Sequence, residues 1–187
     1  MQDRSTLALA PHEARLAPPA LIFSEPQRFA RLAYATLDDG SYDGQDFTLA
    51  DLTGASLIQA RLRGAILQRA ILIETLARRA ELRAANLTQA DFSRADLAAA
   101  DLREATIHLA RFDGAVLRGA NLAGCRSGGT MGRRGTSFRG ADLRGADLRG
   151  ADLSMAVFDG TQLEDAVYDA ATSWPEGFDP RTAGARL

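Results

Sequence analysis

Large apolar residues recur at every fifth position along most of the chain. With one exception this holds from Phe47 to Leu122, and the same spacing resumes at Phe138. The residue two places before each apolar centre is small, and between positions 50 and 120 it is Ala everywhere except at Thr75. Such regular spacing indicates a repeat protein whose structural unit is five residues long.

A five-residue period fits neither an α-helix nor a continuous strand, whose side-chain periods are 3.6 and 2.0. It fits a short extended piece that ends in a bend, because the centre and the residue two before it then both point inward. Phe92 and Phe112 are twenty residues apart, as are Phe138 and Phe158. We therefore predict an all-β fold, a four-sided parallel β-helix of about 20 residues per coil with equal rings stacked on one face.

The pattern is clearest in A-D-L-R-G-A-D-L-R-G-A-D-L-S at residues 141–154, which resembles the pentapeptide-repeat family. The resemblance covers about residues 40–170 and implies a right-handed quadrilateral β-helix. Members of that family include Qnr-like and MfpA-like proteins that protect topoisomerases, cyanobacterial proteins and regulators. The resemblance is therefore specific for the fold and says little about the function.

A solenoid needs a cap at each end, and the N-terminal segment offers one. Ser24 and Gln27 have the spacing of a capping box, and apolar residues follow at helical spacing. We expect a short helix over about residues 25–35, within a capping segment at 25–39. Several prolines before it predict an irregular arm at residues 1–24.

At the other end, residues 171–187 are expected to form a C-terminal cap and tail. Trp174 and Phe178 lie just after the last repeat. Large aromatic side chains at this position are expected to plug the end of the last coil rather than to bind a ligand. The segment from residue 168 to residue 180 also resembles an element that closes many cyanobacterial members of the family.

The repeat is interrupted between residues 123 and 136, where Gly is frequent and the five-residue spacing is lost. This segment carries Arg126, Arg133 and Arg134 and no acidic residue. No Gly-Lys-Ser/Thr follows, so a phosphate-binding loop is not indicated. Two interpretations remain open, namely a plain surface loop and a projection that contacts a partner.

The residues do not suggest catalysis, and we expect no enzyme activity, cofactor or metal site. The chain has one cysteine, Cys125, and two histidines, His12 and His108, which are far apart in sequence. Asp residues recur before the apolar centres because the repeat recurs, which predicts a structural role. Without a signal-like or membrane-spanning run, the expectation is a cytoplasmic protein.

The first candidate contact surface is apolar. In the second and third coils, apolar residues stand at outward positions where the repeat normally has polar ones. They are Ile58, Ile66, Ile71, Ile73 and Leu76. Their cover is expected to be the N-terminal arm through Leu21, Ile22 and Phe23, a second subunit, or a partner protein.

The second candidate surface is charged. Arg63, Arg83 and Arg103 are twenty residues apart and should form one column, although Glu81, Asp101 and Glu104 lie near enough to neutralise it. Charge also varies along the axis. Residues 61–83 carry six Arg against two Glu, whereas residues 152–179 carry seven acids and no Arg.

We expect a non-catalytic scaffold or regulator that binds another protein through a rigid rod, as a monomer or a homodimer. The alternative, brought in by the family resemblance, is a DNA-mimicking protein that binds gyrase and protects it against inhibitors. Residues 40–170 hold 17 acids and 16 Arg, a balance that disfavours a strongly anionic mimic. Direct nucleic-acid binding is also disfavoured, since the net charge is only −2.

Overall fold

The computed structural model describes residues 28–128 and 135–187. In these two stretches there is no helix and no strand longer than one residue, and parallel bridges between single residues join successive coils. Residues twenty apart are paired, from Arg31 with Asp51 to Thr106 with Arg126. Each coil is built from four five-residue units and so has four sides, and the chain forms a β-helix.

The four faces are numbered by their first central residues, which are Leu32 for face 1, Leu37 for face 2, Tyr42 for face 3 and Phe47 for face 4. Each coil adds one central residue to every face. Positions within a unit are given relative to the central residue i. The small residue lies at i−2, and the corner residue that leads to the next face lies at i+2.

The core is one continuous column of side chains inside the four faces. The central residues and the small residues at i−2 are buried, as Leu52 and Ala50 illustrate, because alternate residues of an extended piece point the same way. The lumen is narrow. At Gly40, a Cβ atom would lie 2.3 Å from the Tyr42 hydroxyl oxygen, so the Tyr42 ring as placed here occupies the space of a side chain at i−2.

The unit centred on Leu52 shows how Asp before the centre satisfies the backbone. In the unit centred on Leu52, the N–H groups at i−1, i and i+2 donate to carbonyls of adjacent coils at 2.7–2.8 Å. The N–H of Ala55 donates to the Leu52 carbonyl at 3.0 Å and closes the turn. The remaining N–H, of Thr53, donates to Oδ1 of Asp51 at 3.0 Å. This is why Asp or Asn recurs before the centre.

The corner residues have a left-handed backbone. Gly54 has a φ of 63°, and non-glycine residues such as Arg69 and Arg79 have φ values of 58° and 56°. A positive φ confined to the third residue of a four-residue turn is the type II pattern, which favours glycine. Glycine at many corners therefore reflects backbone geometry, and a side chain there carries a conformational cost of about 1–2 kcal/mol.

Four phenylalanine rings stack on face 1, as the twenty-residue spacing predicted. Successive ring centroids are 5.3, 5.1 and 5.5 Å apart, with interplanar angles of 8–10°. The rings are those of Phe92, Phe112, Phe138 and Phe158. Phe178 and Trp174 extend the stack, with centroids 4.9 and 5.5 Å from that of Phe158, so both pack at the end of the core as expected.

The predicted helix over residues 25–35 is wrong for the residues that the structure describes. From Arg28 onward the chain already follows the five-residue repeat, and Arg31 pairs with Asp51. Phe29 and Tyr34 have φ values of 61° and 60°, which an α-helix cannot contain. The β-helix therefore begins before residue 40, and the predicted arm at 1–24 lies outside the described residues.

The interruption is narrower than the predicted segment at 123–136. Arg111 pairs with Ser137 instead of with the residue twenty positions later, so six residues are inserted. Cys125 lies at an inward i−2 position and is fully buried, and the repeat continues through residue 128. The inserted residues, 129–134, lie outside the described residues, and the repeat resumes at residue 135.

The C-terminal residues close the helix by pairing with its last coil. Asp152 pairs with Ser173 rather than with Thr172, which marks one extra residue before the cap. Arg186 then pairs with Val167, so the chain end covers face 3. Among the described residues, no helix is long and apolar enough to cross a membrane.

Candidate functional site

The predicted apolar cluster is spread over three faces. Ile71 and Ile73 lie on face 1, Ile58 and Leu76 on face 2, and Ile66 on face 4. Ile66, Ile71 and Leu76 hold the same position, i−1, in three successive units. They therefore follow one another around the coil rather than along the helix axis.

These three side chains are also the most exposed of the cluster. Ile66 is 37%, Ile71 42% and Leu76 45% exposed, whereas Ile58 and Ile73 are half-buried. The residues paired with Ile71 in the neighbouring coils are polar, namely Asp51 and Asp91. The apolar surface is thus a band one residue high that crosses three faces.

We call this band, together with two corner arginines, the belt. The belt consists of Ile66, Arg69, Ile71, Ile73, Leu76 and Arg79.

Asp and Asn side chains at i−1 elsewhere have the structural role predicted for the recurring Asp residues. Each accepts a hydrogen bond from the backbone N–H two residues later, at 2.9–3.3 Å. They are Asp46, Asp51, Asn86, Asp91, Asp96, Asp101, Asn121, Asp142, Asp147 and Asp152. We call this bond the Asx cap of the unit.

The belt lacks the Asx cap in three consecutive units. The side chains of Ile66, Ile71 and Leu76 have no atom that can accept a hydrogen bond. Among the described residues, the N–H groups two positions later, such as that of Ile73, have no acceptor. The apolar side chains therefore expose hydrocarbon and forgo a hydrogen bond that the fold uses elsewhere. Val116, Val157 and Val167 also hold i−1, but among the described residues no other three consecutive units carry apolar residues there.

The predicted basic column exists on face 3, but carboxylates neutralise it as expected. Each of its three arginines forms an ion pair with one of the three acids that were expected to neutralise the column. The nitrogen–oxygen distances are 2.5, 2.8 and 2.6 Å. The pairs are Arg63–Glu81, Arg83–Glu104 and Arg103–Asp101. Hydrogen bonds from Arg103 lower the pKa of Asp101, which keeps that pair ionised.

Two arginines of the basic segment 61–83 have no carboxylate partner among the described residues. Four of its six arginines form ion pairs, since Arg61 pairs with Asp43 and Arg78 with Asp96 in addition to the two pairs above. In the described part of the chain, no carboxylate lies within 4.0 Å of the guanidinium nitrogens of Arg69 or Arg79. Both belong to the belt.

The arginines predicted for the loop do not form a cluster with the belt in the structure. Arg126 is exposed on face 4 and pairs through its backbone with Thr106 and Asp152, so it belongs to the repeat. It lies on the same face as Ile66 but three coils away. Arg133 and Arg134 lie outside the described residues.

The cysteine and the one described histidine are held within the repeat. Burial raises the pKa of the Cys125 thiol to about 12, so it stays protonated and unreactive. Nδ1 of His108 lies 3.4 Å from the Ser127 carbonyl oxygen. Within residues 28–128 and 135–187, no group of His, Cys, Asp or Glu could hold a metal ion.

Sequence reasoning missed four surface residues. Phe29 and Tyr34 are 65% and 67% exposed at corners of the first coil, where a helix was predicted. The spacing of Leu32 and Leu37 would have placed them there. Arg69 and Arg79 could have been found by asking which corner arginines lack an acid at neighbouring corners.

Comparison with solved structures found several similar proteins. The pentapeptide-repeat protein alr5209 from Nostoc PCC 7120 is 35% identical over 59% of this chain and 85% of that chain, with a TM-score of 0.52. HetL, described as involved in heterocyst differentiation regulation in Nostoc sp. strain PCC 7120, is 27% identical over 81% of each chain, with a TM-score of 0.31. QnrB1, a plasmid-mediated fluoroquinolone resistance protein, is 17% identical over 84% of each chain, with a TM-score of 0.26.

A search of curated proteins found no match. A family model described as pentapeptide repeats (8 copies) matches residues 30–69, 46–83, 80–119 and 134–167, which is more than half of the chain. These ranges coincide with the coils on both sides of the inserted residues. The protein therefore belongs to the pentapeptide-repeat family, and its coils form the right-handed β-helix of that family.

Proposed function

We propose that the protein is a non-catalytic interaction module, in which a rigid β-helix presents the belt to another protein. The observation that carries this proposal is the loss of the Asx cap at Ile66, Ile71 and Leu76. Three consecutive exposed apolar residues replace the polar residue that stabilises the repeat. Burial of these side chains against a partner would offset that loss.

Many charged groups on the rest of the surface are paired within the protein. Ion pairs between Arg and carboxylates lie on faces 1, 2 and 3, and such exposed pairs contribute little to stability. The continuous core and the ladder of backbone hydrogen bonds make the helix a rigid support. A rigid surface loses little entropy on binding.

Site-specific photo-crosslinking in cells that express the protein tests this function. A benzophenone amino acid replaces Ile71, and a matched variant carries it at Gln162, an exposed i−1 residue far from the belt. A protein crosslinked from position 71 and absent from position 162 is the expected result. The same products from both positions, or none from position 71, would contradict it.

A second candidate function is gyrase protection by DNA mimicry, which the acidic C-terminal part favours. Residues 152–179 carry seven acids and no Arg. Two of these acids, Asp159 and Asp165, pair with arginines outside that segment, which reduces their effect. A supercoiling assay with and without a quinolone tests it. If the protein at micromolar concentration neither inhibits gyrase nor protects it from the quinolone, this function is ruled out.

A further inference from the structure

We propose that the belt binds an extended, acidic and apolar segment of a partner protein that runs across the helix axis. The proposal rests on the proposed function and adds the chemistry and direction of the bound segment. It depends on two features of the belt, the unpaired arginines at its corners and the one-residue height of its apolar surface.

The direction follows from the residues above and below the belt. Ile71 is paired with Asp51 and Asp91, and Leu76 is paired with Ser56 and Asp96. A segment lying along the axis would meet one apolar side chain and then a polar one. A segment crossing the axis instead meets Ile66, Ile71 and Leu76 in turn, which buries three apolar side chains. It also passes Glu74 at the corner between faces 1 and 2, whose carboxylate is already paired with Arg94 at 2.9 Å.

The charge follows from Arg69 and Arg79. Arg69 lies at the corner between faces 4 and 1, and Arg79 at the corner between faces 2 and 3. The other four arginines of segment 61–83 are already paired with carboxylates of the protein, as Arg78 is with Asp96. In the described part of the chain the two guanidinium groups of the belt have no carboxylate partner, and they flank Ile71, Ile73 and Leu76, whereas Ile66 lies beyond Arg69. They match carboxylates placed on either side of apolar side chains.

The spacing of those carboxylates can be estimated. Arg69 and Arg79 are separated by two sides of the coil, and each side holds about three extended residues, roughly 10 Å. A partner segment that follows this path spans roughly 20 Å, which takes about six to eight extended residues. The segment should therefore carry two acidic residues about six to eight positions apart, with apolar residues between them.

Selection from a random library of 12-residue peptides on the full-length protein tests the proposal. We expect enrichment of peptides with that spacing of acids. A synthesised peptide should bind the Ile71→Asn variant and the Arg69→Gln/Arg79→Gln variant at least about tenfold more weakly. Gln already occupies equivalent corners at Gln59 and Gln89, so these changes suit the fold. The control Arg103→Gln/Arg149→Gln removes the same charge from face 3 and should bind like the wild type.

The outcomes separate the possibilities. Peptides without acids, or binding that persists in Arg69→Gln/Arg79→Gln, would overturn the acidic chemistry. If the crosslinked partner were retained in that variant and lost in Ile71→Asn, the proposed function would stand while this inference failed. Binding that persists in Ile71→Asn would overturn the belt as the site.

Thiol labelling of an Ile71→Cys variant tests whether the belt is free in the isolated protein. We expect rapid labelling at position 71, and Cys125 should not interfere because it is buried. Slow labelling at all protein concentrations would mean that residues 1–27 cover the belt. Slow labelling only at high concentration would mean that a second copy covers it, and either result would overturn the proposal.

Discussion

The rings of Phe112 and Phe138 stack with centroids 5.1 Å apart and an interplanar angle of 8°, although the inserted residues lie between them in the sequence. Phe92 and Phe112, which are separated by one regular coil, stack in nearly the same way. The six additional residues therefore leave the register of the core unchanged.

Deletion of residues 129–134 should preserve the fold. It would join Gly128 to Gly135 and restore a complete five-residue unit that leads to Phe138. We expect the free energy of unfolding to stay within about 1 kcal/mol, which is about 2–4 °C in melting temperature. Thermal unfolding followed by circular dichroism measures this.

The Gly135→Ala variant is the counterpart of that deletion. A Cβ atom at position 135 would lie 1.5 Å from the carbonyl oxygen of Met155, so the backbone must move. We expect this single methyl group to lower the melting temperature more than the deletion of six residues. The opposite order would contradict the placement of the insertion.

Buried hydroxyl groups in the core should differ in their contributions to stability. Thr75 lies at i−2 and its Oγ1 donates to the Leu52 carbonyl at 2.9 Å, whereas Oγ of Ser127, at a central position, has no partner among the described residues. Thr75→Val should cost about 1 kcal/mol, and Ser127→Ala should be neutral or stabilising by up to about 1 kcal/mol. Urea unfolding compares the two variants, and equal losses would refute the distinction.

The Asx cap should contribute measurably to stability. Asn86 on face 4 accepts from the N–H of Thr88 at 3.1 Å, while Thr106 occupies the same position one coil later without such a bond. We expect Asn86→Ala to lower the free energy of unfolding by about 1 kcal/mol more than Thr106→Ala does. Guanidinium unfolding of both variants measures the difference.

Stability should fall in acid. Hydrogen bonds from Arg103 and Arg149 lower the pKa values of Asp101 and Asp147 in the folded state, relative to about 3.9 in the unfolded chain. The stabilisation from these two ionised carboxylates is therefore fully present above the unfolded pKa of about 3.9. It is lost as the pH falls through their lower folded pKa values. Urea unfolding between pH 7 and pH 3 should show a smaller loss for Arg103→Gln/Arg149→Gln than for the wild type.

The five-residue spacing was sufficient to predict the repeat, the ring stack and the neutralised column of face 3. Each depends on positions that recur at fixed intervals, so the register determines which side chains meet. The capping helix failed because Phe29, Leu32 and Ala33 also fit a helical spacing, and the five-residue interval from Leu32 to Leu37 was the decisive signal.

The belt could be predicted only in part. The sequence marked Ile66, Ile71 and Leu76 as apolar residues at outward positions, but it did not reveal that they cross three faces. The two belt arginines were missed because the twenty-residue spacing was not applied to the corners. The corners one coil away carry Leu49 and Gln89 for Arg69, and Gln59 and Ala99 for Arg79, and none of these is acidic.

The central claim is that the apolar side chains of the belt serve binding rather than folding. Equilibrium urea unfolding of the triple variant Ile66→Asn/Ile71→Asn/Leu76→Asn tests it most directly, because Asn restores three Asx caps without adding charge. We predict a free energy of unfolding within about 1 kcal/mol of the wild type, since the regained hydrogen bonds offset the lost apolar contacts. A loss of about 3 kcal/mol or more would show that these side chains stabilise the helix and would contradict the account.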